Sequence, residues 1–476
     1  MTALWAHDQA ASATDGAATA PWNAFGVSID SRSLEKGDLF VAIRGENHDG
    51  HDHVRDALAK GAAAAMVARS WKNPPSDAPL LVVDDTTQGL RDLAHAARDR
   101  SKALATGITG SVGKTGTKEM LALVLGAQAP TAATRGNLNN HWGLPLSLAR
   151  MPRDTQYGIF ELGMNHAGEI EPLSRLLRPD LAIITTVEAV HLEFFENEEG
   201  IADAKAEIFA GVRKSGGVIL NRDNRHFARL SDRAKRAGIG KIDSFGADPK
   251  SDFRLLGLTP DGNGSLVEAS IDDERVDYRL GAAGRHLAIN SLAVLGAVRR
   301  LNGNLHDAAQ KLAEFSAMKG RGERRQIETG AGSFLLIDES YNASPASMRA
   351  ALETLGQSAC EPGGRRIAVL GDMLEIGAAA PDLHAALADD VAANGIDLVF
   401  AAGPNMAHLA AALPDRIATQ HGQDSAAILP MVLAAVRAGD AVMVKGSLGS
   451  KMIPITDALI ALHRAGGASP VPTPEA

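Results

Sequence analysis

The chain has 476 residues, 45% hydrophobic and 22% charged, an ordinary balance for a globular protein, and at roughly 150 residues per domain its length suggests about three domains. Its net charge of -9, from 57 acidic and 48 basic residues spread along the chain, argues against nucleic acid as a main partner, because backbone binding needs a clustered basic surface. No window approaches the roughly 18 apolar residues of a membrane span, and the single cysteine, Cys360, offers no disulfide framework, so a soluble protein of the reducing cytoplasm is expected.

Residues 1–20, "MTALWAHDQAASATDGAATA", lack a basic start followed by an apolar block and read as a loose, Ala-rich tail, not a signal peptide. From "GDLFVAIRG" (37–45) to "APLLVVDD" (78–85), short apolar runs alternate with helical stretches, giving a small α/β domain over 21–101. A second unit, 102–318, carries "ALATGIT", "YGIFELG", "LAIITTV" and "GGVIL". These continuous apolar runs of strand length, separated by helix-compatible sequence, predict a parallel sheet covered on both faces. A third series over 319–466, "SFLLIDE", "RRIAVLGD", "IDLVFAAG" and "DAVMVKG", repeats the doubly wound pattern. The Pro-rich end, 467–476, is expected to be disordered.

"GITGSVGKTGTKEM" (107–120) looks like a phosphate loop, yet Ile108 stands where G-x-x-x-x-G-K-[ST] requires its first glycine. The context is nevertheless right, because the stretch follows a predicted strand and opens a helix. Gly110 and Gly113 let backbone N–H groups turn toward an anion, Lys114 adds a point charge, and Thr115 offers a hydroxyl to Mg²⁺. A plain glycine turn would not require Gly-Lys-Thr. Glu161 in "ELGMNHAGEI" ends an apolar strand on the same sheet edge, His191 lies just past the next strand, and Lys205 follows on a helix. Taken singly, Glu161 reads as a capping carboxylate and His191 as a loop histidine. Beside a phosphate loop they read as a divalent-metal and phosphate site.

Together "TGSVGKT", "GNLNNHWGLP", "ELGMNHAGEI", "KAEIF", "DESYNASP", "VLGDMLEIG" and "VKGSLGSKM" resemble the Mur ligases, from about residue 26 to about residue 463. That family's phosphate loop lacks the first glycine; Gly116, where the family usually has Ser or Thr, is a departure. The resemblance implies three α/β domains: a small N-terminal domain for the UDP end of the substrate, a central P-loop ATPase-type sheet, and a C-terminal Rossmann-like domain. Within the family the likeness is greatest to the members that add D-alanyl-D-alanine to UDP-N-acetylmuramoyl-tripeptide. It therefore implies an ATP-dependent amide ligase of peptidoglycan precursor synthesis, working through an acyl phosphate, with two Mg²⁺ ions and those two substrates. A monomer is expected.

Residue by residue, the resemblance assigns Thr109, Gly110, Ser111, Val112, Gly113, Lys114 and Thr115 to ATP, with Asn290, Arg321 and Asp338 for its adenine and ribose. Thr115, Glu161 and His191 would hold metal. Lys114, Glu161, His191 and Lys205 form the catalytic set, Lys205 being the position that related ligases carbamoylate; the plain alternative is a lysine reaching solvent or pairing with Glu207. Substrate contacts are assigned to Ser31, Arg32, Asn139, Asn140, Asn342, Lys445 and Ser447; an Asn-rich turn and a simple helix cap are the bland readings of 139–140 and 341–345. "NHDGHDH" (47–53) imitates a zinc cluster, but the family's matching segment is structural or substrate-facing. A P-loop kinase or regulatory NTPase would explain the loop and Glu161 but not the third domain or "YNASP". A folylpolyglutamate synthase or another Mur ligase would share the ATP site but use another amine, and a non-catalytic nucleotide scaffold is disfavoured by the intact Lys114, Glu161, His191 and Lys205.

Overall fold

The computed structural model describes residues 3–45, 47–190 and 192–466. His191 and the tail 467–476 lie outside the described residues.

Among the described residues three main sheets follow one another along the chain. The first domain contains helix α1 (His7–Thr14) and strands β1 (Ala17–Ala18), β2 (Gly26–Ser28), β3 (Asp38–Val41), β4 (Ala64–Ala68) and β5 (Leu80–Val83), ordered β1-β5-β4-β3-β2. The start of the chain corrects the expectation of a loose tail over 1–20. Trp5 is buried, its Nε1 donates to the Ala149 carbonyl of the central domain at 2.9 Å, and the Arg100 guanidinium lies 3.9 Å from its ring. Alanine has the highest intrinsic helix propensity, and its small side chain lets a helix pack closely. Composition that reads as featureless thus becomes α1 once Trp5 anchors it.

Helix α2 (Thr86–Arg100), capped by the Asp85 side chain, leads into the central domain. Near its end Arg98 is buried and donates to the carbonyls of Leu177 (2.7 Å), Ala103 (3.2 Å) and Arg178 (3.2 Å). Burial lowers its pKa to about 10. One side chain therefore staples the first domain's last helix to the second domain. Arg98→Met is expected to destabilise the protein by roughly 3 kcal/mol, because it strands buried carbonyls; the urea midpoint reads this, and a shift under about 1 kcal/mol would contradict it.

The central domain holds β6 (Leu104–Thr109), α3 (Lys114–Gly126), β7 (Thr131–Ala133), α4 (Gly143–Ala149), β8 (Tyr157–Glu161), α5 (Ile170–Leu177), β9 (Leu181–Ile184), α6 (Glu198–Ala206), β10 (Gly217–Asn221) and β11 (Lys241–Gly246). It continues with β12 (Phe253–Asp261), β13 (Gly264–Ile271), β14 (Glu274–Leu280) and α8, with α7 (Phe227–Arg236) preceding β11 and α8 spanning Arg285–Arg300. Nine strands are ordered β14-β13-β12-β11-β10-β9-β6-β8-β7. The parallel sheet expected from the apolar runs is present, but β12, β13 and β14 extend it as an antiparallel meander. The extension alternates polar and apolar residues, and its second turn is two residues, Asp272 and Asp273, both at positive φ.

The third domain comprises β15 (Glu323–Thr329), β16 (Gly332–Glu339), α9 (Pro345–Gly356), β17 (Arg366–Gly371), β18 (Leu398–Ala402), β19 (Ala418–Gly422), β20 (Ala441–Lys445) and α10 (Ile453–Gly466), with sheet order β15-β16-β20-β17-β18-β19. Only β15 runs antiparallel to its neighbour. Ser344 caps α9 and Pro345 occupies its first turn, as "YNASP" suggests.

Candidate nucleotide and ligation site

β6 is central, with β8 on one side and β9 on the other, so its carboxyl end lies where the strand order reverses. The loop from Gly110 to Gly113 leaves that end and opens α3. Gly110 (φ +146°) must be glycine, since a Cβ there would lie 2.0 Å from Thr185 Oγ1; at Gly113 (φ +88°) it would lie 2.5 Å from Asn290 Nδ2. Asn290 therefore stands directly beneath the loop. Thr185, not singled out from the sequence, clamps it by donating to the Val112 carbonyl at 2.6 Å, while its N–H donates to the Thr109 carbonyl at 3.0 Å. Lys114 folds over its own loop, donating to Gly110 O at 2.7 Å and Ser111 O at 3.3 Å. Burial lowers its pKa, Glu161 opposes that, and the charge of Arg321 adds to it.

Glu161 is the last residue of β8 and is 2% exposed. Its Oε1 accepts from Asn139 Nδ2 at 2.8 Å, whereas Oε2 is buried without a partner, as is the Thr109 hydroxyl. A buried carboxylate oxygen left unpaired costs on the order of 1–3 kcal/mol or more, which a cation would relieve. The donor set of Glu161 Oε2 and the Thr115 hydroxyl, all oxygen, suits Mg²⁺. Thr115 lies in the first turn of α3. Lys205, near the end of α6, is 1% exposed, and no hydrogen bond or ion pair engages its Nζ among the described residues. Burial first, then the charge of Lys114, hold its pKa well below the usual lysine value. Glu207 is occupied elsewhere: its carboxylate accepts from the N–H groups of Gly168 (2.6 Å), Ile170 (3.1 Å) and Glu171 (3.2 Å) at the start of α5. The solvent-reaching or Glu207-paired lysine is thus not what the fold contains.

The third domain faces this corner. Its Arg321 stacks on the Tyr341 ring at 4.0 Å and lies close enough to Lys114 to influence its charge. Half-buried His286, in the first turn of α8, lies within electrostatic reach of Glu339, Lys445 and Glu353 of the third domain, and burial lowers its pKa. A backbone bond from Glu193 N to Glu375 O, 3.3 Å, also joins the two domains.

Other expected contacts hold the third domain's own loops. Asp338 is buried and accepts from Gly320 N (3.0 Å), Ser340 N (3.1 Å) and Ser340 Oγ (2.6 Å), which fixes the turn before Arg321. Lys445 Nζ donates to Glu339 Oε2 (3.2 Å) and to the carbonyl of exposed Asn342 (3.0 Å). Ser447 Oγ accepts from Leu374 N at 3.0 Å and donates to Ala343 O at 3.4 Å. Asn140 Oδ1 accepts from the N–H groups of Trp142 (3.2 Å) and Gly143 (2.9 Å), the turn-forming role, while Asn139 reaches Glu161. Ser31 and Arg32 lie apart, in the first domain after β2. Ser31 is buried; Arg32 is largely exposed and forks onto Asp30, whose carboxyl its hydrogen bonds lower to about 2. In "NHDGHDH", His51 has both ring nitrogens engaged, Nδ1 with Asp49 at 2.6 Å and Nε2 accepting from Ala68 N at 2.9 Å, so it holds the turn and β4 together.

Such an arrangement suits an ATP-using enzyme whose catalytic parts are divided between domains, with charge stabilisation on the central one and closing groups on the third. Residues 24–98 match the Mur ligase family catalytic domain, 108–298 the Mur ligase middle domain, and 320–448 the Mur ligase glutamate ligase domain. The UDP-N-acetylmuramoyl-tripeptide–D-alanyl-D-alanine ligase of Rickettsia prowazekii is 35% identical over 90% of this chain and 94% of its own length. A crystal structure of MurF from Acinetobacter baumannii superposes with a TM-score of 0.83 at 29% identity, covering 96% of this chain and 99% of that one. MurF from Thermotoga maritima, solved in complex with ADP, gives 0.77 at 26% identity, covering 92% of this chain and 98% of that one. The chain belongs to the Mur ligase family and is an ATP-dependent acid–amino-acid ligase.

Proposed function

We propose that this ligase joins D-alanyl-D-alanine to UDP-N-acetylmuramoyl-tripeptide in the cytoplasmic assembly of peptidoglycan precursors. The observation that carries the reading is the likeness to D-alanyl-D-alanine ligases of this type across all three domains, 35% identical over 90% of the chain. The tripeptide carboxylate attacks the γ-phosphorus of ATP, the bond to the ADP oxygen breaks, and an acyl phosphate forms. The dipeptide amine then attacks the acyl carbon, loses a proton, and phosphate departs from the tetrahedral intermediate.

Phosphoryl transfer depends on positioning and on cations set against the phosphate oxygens. Lys114 supplies one such charge from the loop, and Arg321 approaches from the third domain. Glu161 and Thr115, with His191, would hold Mg²⁺, which when bound offsets charge on the β- and γ-phosphates. Asn139 keeps Glu161 Oε1 occupied, so that Oε2 alone is free for a cation. Lys205, whose pKa burial holds well below the usual lysine value, would take up carbon dioxide from its neutral form as a carbamate with loss of a proton.

Purified protein supplied with UDP-N-acetylmuramoyl-tripeptide, ATP and Mg²⁺ is expected to release ADP, phosphate and amide in equal amounts only when D-alanyl-D-alanine is added. Product with a single amino acid instead would assign it to another ligation step of the family. ADP release without any amine would make it a hydrolase.

A further inference from the structure

Lys118 is a wholly buried lysine, 0% exposed, one helical turn beyond Lys114 on α3. A hydrocarbon side chain would fill such a place at lower cost, because an ammonium taken out of water must be compensated by good partners. It has two: Nζ donates to the Thr134 carbonyl at 2.7 Å and pairs with Glu119 Oε1 at 2.6 Å.

Thr134 is the buried residue at which the chain leaves β7. Its N–H makes the last rung to β8, donating to Ile159 O at 3.0 Å, and its hydroxyl accepts the N–H of Glu161 at 3.1 Å. The loop rooted at Thr134 then returns to the same carboxylate, through Asn139 Nδ2 on Glu161 Oε1 at 2.8 Å, and is tied to β8's exit by Gly163 N on Asn139 O at 2.8 Å. Both routes out of the Lys118 contact therefore end on Glu161, one on its main chain and one on its side chain. β7 is a three-residue edge strand, too short to fix that loop alone.

We propose that Lys118 is a positioning residue for the metal–nucleotide site: by holding the Thr134 carbonyl it fixes Glu161, leaving Oε2 open beside Lys114. The inference rests on Glu161 being a metal ligand, so its test must separate the two. Mn²⁺ binding to the protein with ADP, followed by electron paramagnetic resonance, reads the site without turnover, and ADP binding in EDTA reads the nucleotide pocket alone. Lys118→Met and Thr134→Val should each weaken Mn²⁺ binding about tenfold, the lower end of what loss of a ligand's supporting hydrogen bond costs. Thr134→Ser, which keeps the hydroxyl, should stay within about twofold of the parent, and ADP affinity in EDTA should be unchanged in all three. Parental Mn²⁺ affinity in Lys118→Met and Thr134→Val, with loss in Glu161→Gln, would reduce Lys118 to a core filler and overturn the proposal. Parental affinity in Glu161→Gln would overturn the metal assignment and the proposal with it. Should Lys118→Met fail to fold, Lys118→Gln, too short to reach the Thr134 carbonyl, takes its place with the same two outcomes.

Discussion

Lys114→Ala is expected to lower the ligation rate by at least about 10³-fold, equivalent to roughly 4 kcal/mol of transition-state stabilisation, while leaving the fold intact. The two halves of that expectation have separate grounds. The ammonium's hydrogen bonds go to Gly110 and Ser111, carbonyls of its own loop, so little of the core depends on it. Its chemical value lies in the charge it places against the transferring phosphate, in surroundings where burial strengthens each electrostatic contact. Thr185, Asn290 and the two glycines keep the loop's shape without it. A coupled assay of ADP release together with the thermal midpoint checks both halves. Activity within tenfold of the parent would remove Lys114 from the catalytic set, and loss of the folded state would show the lysine to be structural.

Lys205→Ala is expected to cost at least about 10²-fold in rate, about 3 kcal/mol, with partial recovery when acetate or propionate is added. A buried ammonium that no hydrogen bond or ion pair engages among the described residues, close to the charge of Lys114, is energetically misplaced as a cation. Burial and the Lys114 charge favour the neutral amine, the form that attacks carbon dioxide, and the resulting carbamate replaces a positive charge with a negative one. Low pH opposes this by protonating the amine, so activity at limiting bicarbonate should fall as pH is lowered and recover with added bicarbonate. Carbon-13 NMR of protein equilibrated with labelled bicarbonate should show a carbamate resonance that is absent from Lys205→Ala. An unaffected mutant, or a parent without that resonance, would leave Glu161 and its neighbours to hold the metals unaided.

The phosphate loop was legible from residues alone because every part of it is contiguous: a strand, two glycines that must reach positive φ, and a helix whose first turn carries Lys114 and Thr115. The same locality made the α9 cap and the apolar strands readable. The N-terminal segment was not, since nothing between residues 1 and 20 indicates that Trp5 will find Ala149, 144 positions away, and bury itself there. The antiparallel meander from 253 to 280 was passed over because half-exposed strands alternate instead of forming continuous apolar runs, although its first turn, Gly262-Asn263, carries a hairpin signal.

By itself the sequence determined the fold class, three α/β units and the identity of the phosphate-binding loop, all of which follow from periodicity and from residues within one turn of each other. What only the tertiary structure decided is which polar side chains are engaged by neighbours and which are left open. Asp338, Lys445, Ser447 and Asn140 are polar like Glu161 and Lys205, but their hydrogen bonds are taken up by neighbouring segments of their own domains. Glu161 Oε2 is left without a partner, and among the described residues no hydrogen bond or ion pair engages buried Lys205 Nζ. The physical reason is that hydrogen-bond satisfaction is a property of neighbours brought together across tens to hundreds of positions. Arg98 and Lys118 illustrate it: in the sequence they are an ordinary helix arginine and lysine, and only burial against distant carbonyls gives each its place.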